Sequence, residues 1–132
     1  MLSTYSAKSL AILVDLLPDI ANLATEKGEV FQVTLTTPSG WDFWLSSEEE
    51  EQLTVGFAEY HCHFGGYSGD TPEADATEAA SFIKSLHNGD LMLAVWYQDG
   101  KYAHSQLVEP YQKPQILMSG QEQTLQIKKW AN

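Results

Sequence analysis

The sequence predicts an α+β domain: an antiparallel or mixed sheet of five to six strands, with two main helices packed on one face. Three observations predict it. Apolar residues recur at helical spacing in segments 6–26 and 72–87, apolar and polar residues alternate with a period of two between and after those segments, and turn residues separate them. A chain of 132 residues, 43% hydrophobic, with four Trp, six Tyr and five Phe, can bury one core without disulfides or metals as staples. Divided in two, it would leave each half too small, so 1–132 reads as a single domain.

Leu10, Leu13, Val14, Leu17, Ala21 and Ala24 mark the first helix, with Ser6 or Ser9 as its cap. Pro18 kinks or splits it, because proline lacks an N–H and its ring collides with the preceding turn. Gly28 is its expected stop. From Val30 the period becomes two: Phe31, Val33 and Leu35 alternate with Gln32, Thr34 and Thr36, and Pro38-Ser39-Gly40 turns the chain. Trp41, Phe43 and Leu45 then form one face of a second strand, and Asp42 and Trp44 the other. After the SSEEEEQ connection, Leu53 to Phe64 reads as a third strand, with Thr54, Gly56, Ala58, Tyr60, Cys62 and Phe64 on one face and Val55, Phe57, Glu59, His61 and His63 on the other. Thr71 caps and Pro72 opens a helix running to about His87, where Asn88-Gly89 ends it. LMLAVWYQ and KYAHSQLVE meet across Asp99-Gly100, the strongest hairpin signal in the chain, and TLQIKKW reads as a last strand.

Charge says more by its placement than by its total. Eighteen acids against seven lysines, with no arginine, give −11. Between Lys27 and Lys84 there is no basic residue, yet that stretch holds eleven acids: Glu29, Asp42, Glu48, Glu49, Glu50, Glu51, Glu59, Asp70, Glu73, Asp75 and Glu78. The flanks cancel, so the middle of the chain carries the whole net charge. Nucleic-acid and anionic-membrane binding need lysine or arginine to neutralise phosphate, and this pattern argues against both. It suits a basic protein partner, since opposite potentials speed encounter and reject wrong partners.

The first residues hold Asp15 and Pro18 within their apolar stretch and only Lys8 before it, which is not a signal-peptide pattern. No run approaches the roughly 18 apolar residues of a membrane span. Cys62 is alone, so no internal disulfide is possible, and a lone thiol in a strand suits a buried, inert role in a reducing cytoplasm.

The most suggestive chemical grouping is Glu59, His61 and His63, which alternation places on one strand face about 7 Å apart from one to the next. Imidazole and carboxylate bind zinc or iron, so this is a metal-site fragment, but a catalytic zinc needs three protein ligands and a supporting shell. No G-x-S-x-G elbow, Walker loop or G-x-G-x-x-G occurs, and Gly65-Gly66-Tyr67-Ser68-Gly69 lacks the lysine a phosphate loop requires. No cofactor is expected.

The segment Thr54-Val55-Gly56-Phe57-Ala58-Glu59-Tyr60-His61-Cys62-His63-Phe64, followed some thirty residues on by Val95-Trp96-Tyr97-Gln98-Asp99-Gly100-Lys101, resembles small immunity-protein families of bacterial polymorphic toxin systems. The likeness covers about residues 41 to 107. It implies a cytoplasmic protein that neutralises a cognate toxin by direct binding, often a toxin delivered between neighbouring cells. Such families block different toxins through different surfaces, so the resemblance assigns no contact residue. The charge pattern is compatible, because many toxins that cut nucleic acid are basic. The expected contact set is Asp42, Glu48, Glu49, Glu50, Glu51, Glu59 and Asp70 for the field, with Trp44, His61, His63 and Tyr67 as anchors. The competing expectations are a small metal-dependent enzyme built on His61 and His63, and a homo-oligomeric adaptor, for which a homodimer is the simplest form.

Overall fold

In the computed structural model, which describes residues 1–67, 70–112 and 123–132, the elements run α1 (Thr4–Leu16), α2 (Pro18–Ala21), β1 (Thr25–Lys27), β2 (Val30–Thr36), β3 (Asp42–Ser47), β4 (Gln52–Phe57), β5 (Tyr60–Gly65), α3 (Pro72–His87), β6 (Met92–Gln98), β7 (Lys101–Val108) and β8 (Thr124–Lys128). The α+β class holds. The first five strands form an antiparallel meander in chain order, and the last three form a second sheet in the order β7-β6-β8.

The two long helices begin at capping side chains, α1 at Ser3 rather than at the expected Ser6 or Ser9. Ser3 accepts the Ser6 N–H at the start of α1, and Thr71 accepts the Ala74 N–H at the start of α3, where Pro72 occupies the first turn. Pro18 splits the first helix outright, and the four-residue α2 that follows is too short to propagate. The expected helix to residue 26 is therefore a misreading of its last part. Thr25–Lys27 gains more by pairing with Val30–Gln32, and Gly28, at φ 63°, serves the hairpin turn rather than a helix stop.

A second departure decides the faces of the sheet. Leu53–Phe64 is not one strand but a hairpin, folded at Ala58-Glu59, with Ala58 at φ 52°. A single strand of that length would run about 40 Å and leave any core behind. Folding back places Val55, Phe57, Tyr60, Cys62 and Phe64 all on the helix side, and the Ala58 N–H donates to the Asp42 carbonyl at 2.8 Å. Asp99-Gly100, by contrast, makes the expected two-residue turn, both residues at positive φ as a type I′ turn demands.

The helix-side rows of the sheet are Val33-Leu45-Val55-Cys62 and Leu35-Phe43-Phe57-Tyr60, with Phe31, Ser47, Leu53 and Phe64 beyond. They pack under α1 and α3, and Leu93, Val95 and Trp130 join the same core from the C-terminal part of the chain. Trp130 lies edge-on to Phe43 at 5.0 Å and stacks with Phe57 at 6.3 Å. Between helix and sheet runs a line of buried hydroxyls: Ser6 Oγ meets Ser47 Oγ at 2.7 Å, and Ser47 Oγ accepts the Phe31 N–H. α1 and α3 run parallel. The Tyr5 hydroxyl donates to Asp75 at 2.7 Å near their starts, while Leu16, Leu17, Lys84 and His87 line one cleft near their ends. Among the described residues, no helix is long and apolar enough to cross a membrane.

Candidate functional site

The helices cover one face of the five-stranded sheet and leave the other open. Two rows of side chains line that open face: Gln32-Ser46-Thr54-His63 and Thr34-Trp44-Gly56-His61, with Thr36 and Asp42 beside them. Trp44 is half-buried because its ring lies on Gly56, where any Cβ would run into it. That contact explains a glycine in the middle of a central strand. His61 and His63 are exposed, with their rings edge-to-face at 5.5 Å. A shallow depression of about 570 Å³ lies alongside, lined by Gln32, Thr34, Thr36, Asp42, Trp44 and Ser46.

A hydroxyl joins His63 to the acidic turn. The Thr54 hydroxyl donates to Glu48 Oε1 at 2.9 Å and lies 2.9 Å from His63 Nδ1, and Ser46 also donates to Glu48 at 3.2 Å. Thr54 has one hydroxyl proton, so with that proton directed to Glu48 the Nδ1–H of His63 is the donor in the second bond. The chain His63–Thr54–Glu48 orients an imidazole and a carboxylate on one corner of the open face.

The expected acidic set divides between the two ends of the sheet. Glu48–Glu51 form the β3–β4 turn, and Asp70 lies in the loop before α3, where its Oδ2 accepts the Tyr67 N–H at 3.2 Å. Glu51 and Asp70 both act on the Tyr5 hydroxyl, whose pKa is raised by burial first and then by its bond to Asp75 and these charges. Glu29 and Glu73 join them, for the Ser3 N–H at the start of α1 donates to the Glu29 carbonyl and Glu73 lies in the first turn of α3. Both helix N-termini thus point their positive dipole ends toward this acidic end and temper its self-repulsion. Tyr67 is 80% exposed there.

Asp42 and Glu59 sit at the opposite end. Glu59 is no part of an exposed field: Lys128 Nζ reaches its two carboxylate oxygens at 2.7 and 2.8 Å, and the Tyr97 hydroxyl donates to it as well. Burial opposes the charged form of Glu59, but these bonds and the lysine's charge outweigh it and hold the carboxyl below its ordinary pKa. Burial likewise works against the charged form of Lys128, yet its bonds to Glu59 and Tyr97 raise its pKa. The ammonium also lies 4.3 Å from the Trp41 ring centroid. This clamp ties the β4–β5 turn to β6 and β8, and no local sequence pattern signals it, because its members are far apart in the chain.

The grouping of Glu59 with His61 and His63 is likewise dissolved. The turn at Ala58-Glu59 breaks the alternation on which it rested, and Glu59 is engaged by Lys128. Among the described residues, no three His, Cys, Asp or Glu side chains are placed to hold a metal ion. Cys62 faces the helices, half-buried, and burial pushes its thiol pKa up, away from the reactive thiolate. What sequence reasoning missed is the partnership of Trp44 with Gly56 and the relay through Thr54. The intrastrand glycine was their one available signal. Compared with known proteins, the chain matches no protein-family model, and it has no significant match among curated proteins or solved structures.

Proposed function

We propose that this chain acts by binding rather than by catalysis, as an immunity-type protein that neutralises a basic protein partner, a cognate toxin domain. The contact surface in this reading is the acidic end together with the adjoining open face of the sheet. The observation that carries it is the absence of any lysine or arginine from Gly28 to Ile83, the span that builds β2 to β5 and most of α3, against eleven acids. Glu59 is paired and Asp75 is buried; the other nine reach solvent, and none of the nine forms an ion pair among the described residues. Such a field draws in a cationic surface and repels phosphate. Carboxylates in that density can occupy a groove shaped for a phosphate backbone, and Trp44, His61 and His63 supply the flat, amphipathic area that binding hot spots favour.

Co-expression with a basic toxin domain encoded beside this chain tests the reading. Growth should be restored, and the purified pair should form a complex whose association slows as salt rises. Changing Glu48–Glu51 to lysine should slow association by about tenfold or more and flatten its salt dependence. Association that ignores both changes overturns the proposal.

A further inference from the structure

The two edges of the five-stranded sheet differ. At one, the edge strand β1 has only three residues and ends in Lys27, which blunts it. At the other, β5 pairs with β4 alone, and no described residue bonds to the outward main chain of β5. The hairpin identifies the free groups. A two-residue turn makes Phe57 and Tyr60 a hydrogen-bonded pair, and such pairs alternate along an antiparallel ladder. Tyr60, Cys62 and Phe64 therefore direct their amides and carbonyls to β4, whereas those of His61, His63 and Gly65 point away from the sheet.

An edge of this length, about 20 Å, is normally blunted by lysine, proline or a bulge. Tyr-His-Cys-His-Phe-Gly carries neither residue, and its register with β4 is unbroken. On the helix side the edge is backed by an apolar strip: Phe82 of α3 lies 6.2 Å from Tyr60 and 5.9 Å from Phe64, all three only partly buried. On the open side stand His61 and His63, with Glu48 held to His63 through Thr54. Glu78 lies one turn before Phe82, and Asp70 and Glu73 flank the start of α3. The surroundings of the edge are thus apolar on one side and anionic about it.

We infer that β5 receives an extended strand of the partner as a sixth strand of this sheet, one that alternates apolar residues, laid against Tyr60, Phe64 and Phe82, with lysine or arginine facing the Glu48 side. The inference rests on the binding reading above and deepens it. A foreign basic strand fits better than a second copy, because two chains of charge −11 repel.

The probe is a peptide of about ten residues alternating Lys and Val, long enough to span one strand, titrated at low salt into the isotope-labelled full chain. The amides of His61, His63 and Gly65 should shift most and gain protection from exchange. A Glu-Val peptide should not bind, and N-methylating the peptide's pairing amides should weaken binding at least about tenfold. His63→Pro, which removes an outward N–H, should do the same. His63→Lys keeps that N–H and adds like charge, and should weaken binding several-fold even if proline disturbs the strand. Shifts confined to Glu48–Glu51 and indifferent to N-methylation would overturn strand pairing while leaving charge recognition intact. Failure of the Lys-Val peptide to bind overturns it too, as does concentration-dependent self-association abolished by His63→Pro, which assigns the edge to a second copy. Peptide pairing without a complex with the toxin domain would sink the functional reading alone.

Discussion

Glu48–Glu51 and Glu59 stand at opposite ends of the same part of the sheet, and one difference separates them. Lys128 reaches Glu59 from the second sheet, while among the described residues no cation pairs with the other four. The paired carboxylate joins two layers of the fold; the unpaired ones project a field into solvent. Identical chemistry thus divides into scaffold and surface according to whether a counter-charge is within reach.

Removing the cation should have the largest effect. Lys128 is 5% exposed, so Lys128→Met leaves a partly buried carboxylate with the Tyr97 hydroxyl but without its counter-charge, at an expected cost of about 3 kcal/mol in chemical denaturation. A loss under about 1 kcal/mol would mean that the clamp does not hold the sheets together. Acidification gives a second, smaller effect. Glu59 titrates in the folded state below its unfolded value, so the pair's contribution is complete above the ordinary carboxylate range and is lost as pH falls through the folded value. The stabilities of the native chain and of Lys128→Met should therefore converge below about pH 4, and curves that stay parallel there would refute this account. On the alkaline side the contribution persists below the ordinary lysine value and fades as pH climbs through the raised one. The smallest effect belongs to the other end. Glutamine at positions 48–51 should leave stability within about 0.5 kcal/mol of native, and a loss above about 2 kcal/mol would make the run structural instead.

How much of this was legible depended on the distance over which the deciding interaction acts. The limits of α3 follow from Thr71-Pro72 and Asn88-Gly89, and the β6–β7 hairpin from Asp99-Gly100, all read from adjacent residues. Ala58-Glu59 carries no turn residue; the need to bring Tyr60 and Phe64 under α3 fixes that bend, and a tertiary demand has no local mark. Without the bend the alternation misassigns the faces, which hides the shared row of Trp44 and His61 and groups with the histidines a Glu59 that Lys128 engages. β1 was hidden for a related reason, since Thr25–Lys27 is a strand only because Val30–Gln32 lies beside it. Trp44, His61, His63 and Glu48 were all singled out from sequence, but which of them share a surface came from the register of β3, β4 and β5.

Trp130 closes the space between Phe43 and Phe57, and its carbonyl accepts the Ser39 N–H at 3.2 Å. A ring that stands 87 residues after Phe43 and 73 after Phe57 acts as a keystone. Without it, the meander formed by the earlier strands lacks one wall of its core. The interior is thus completed by contacts between distant parts of the sequence, and bringing those parts together carries an entropic cost that neighbouring strands of the meander do not meet.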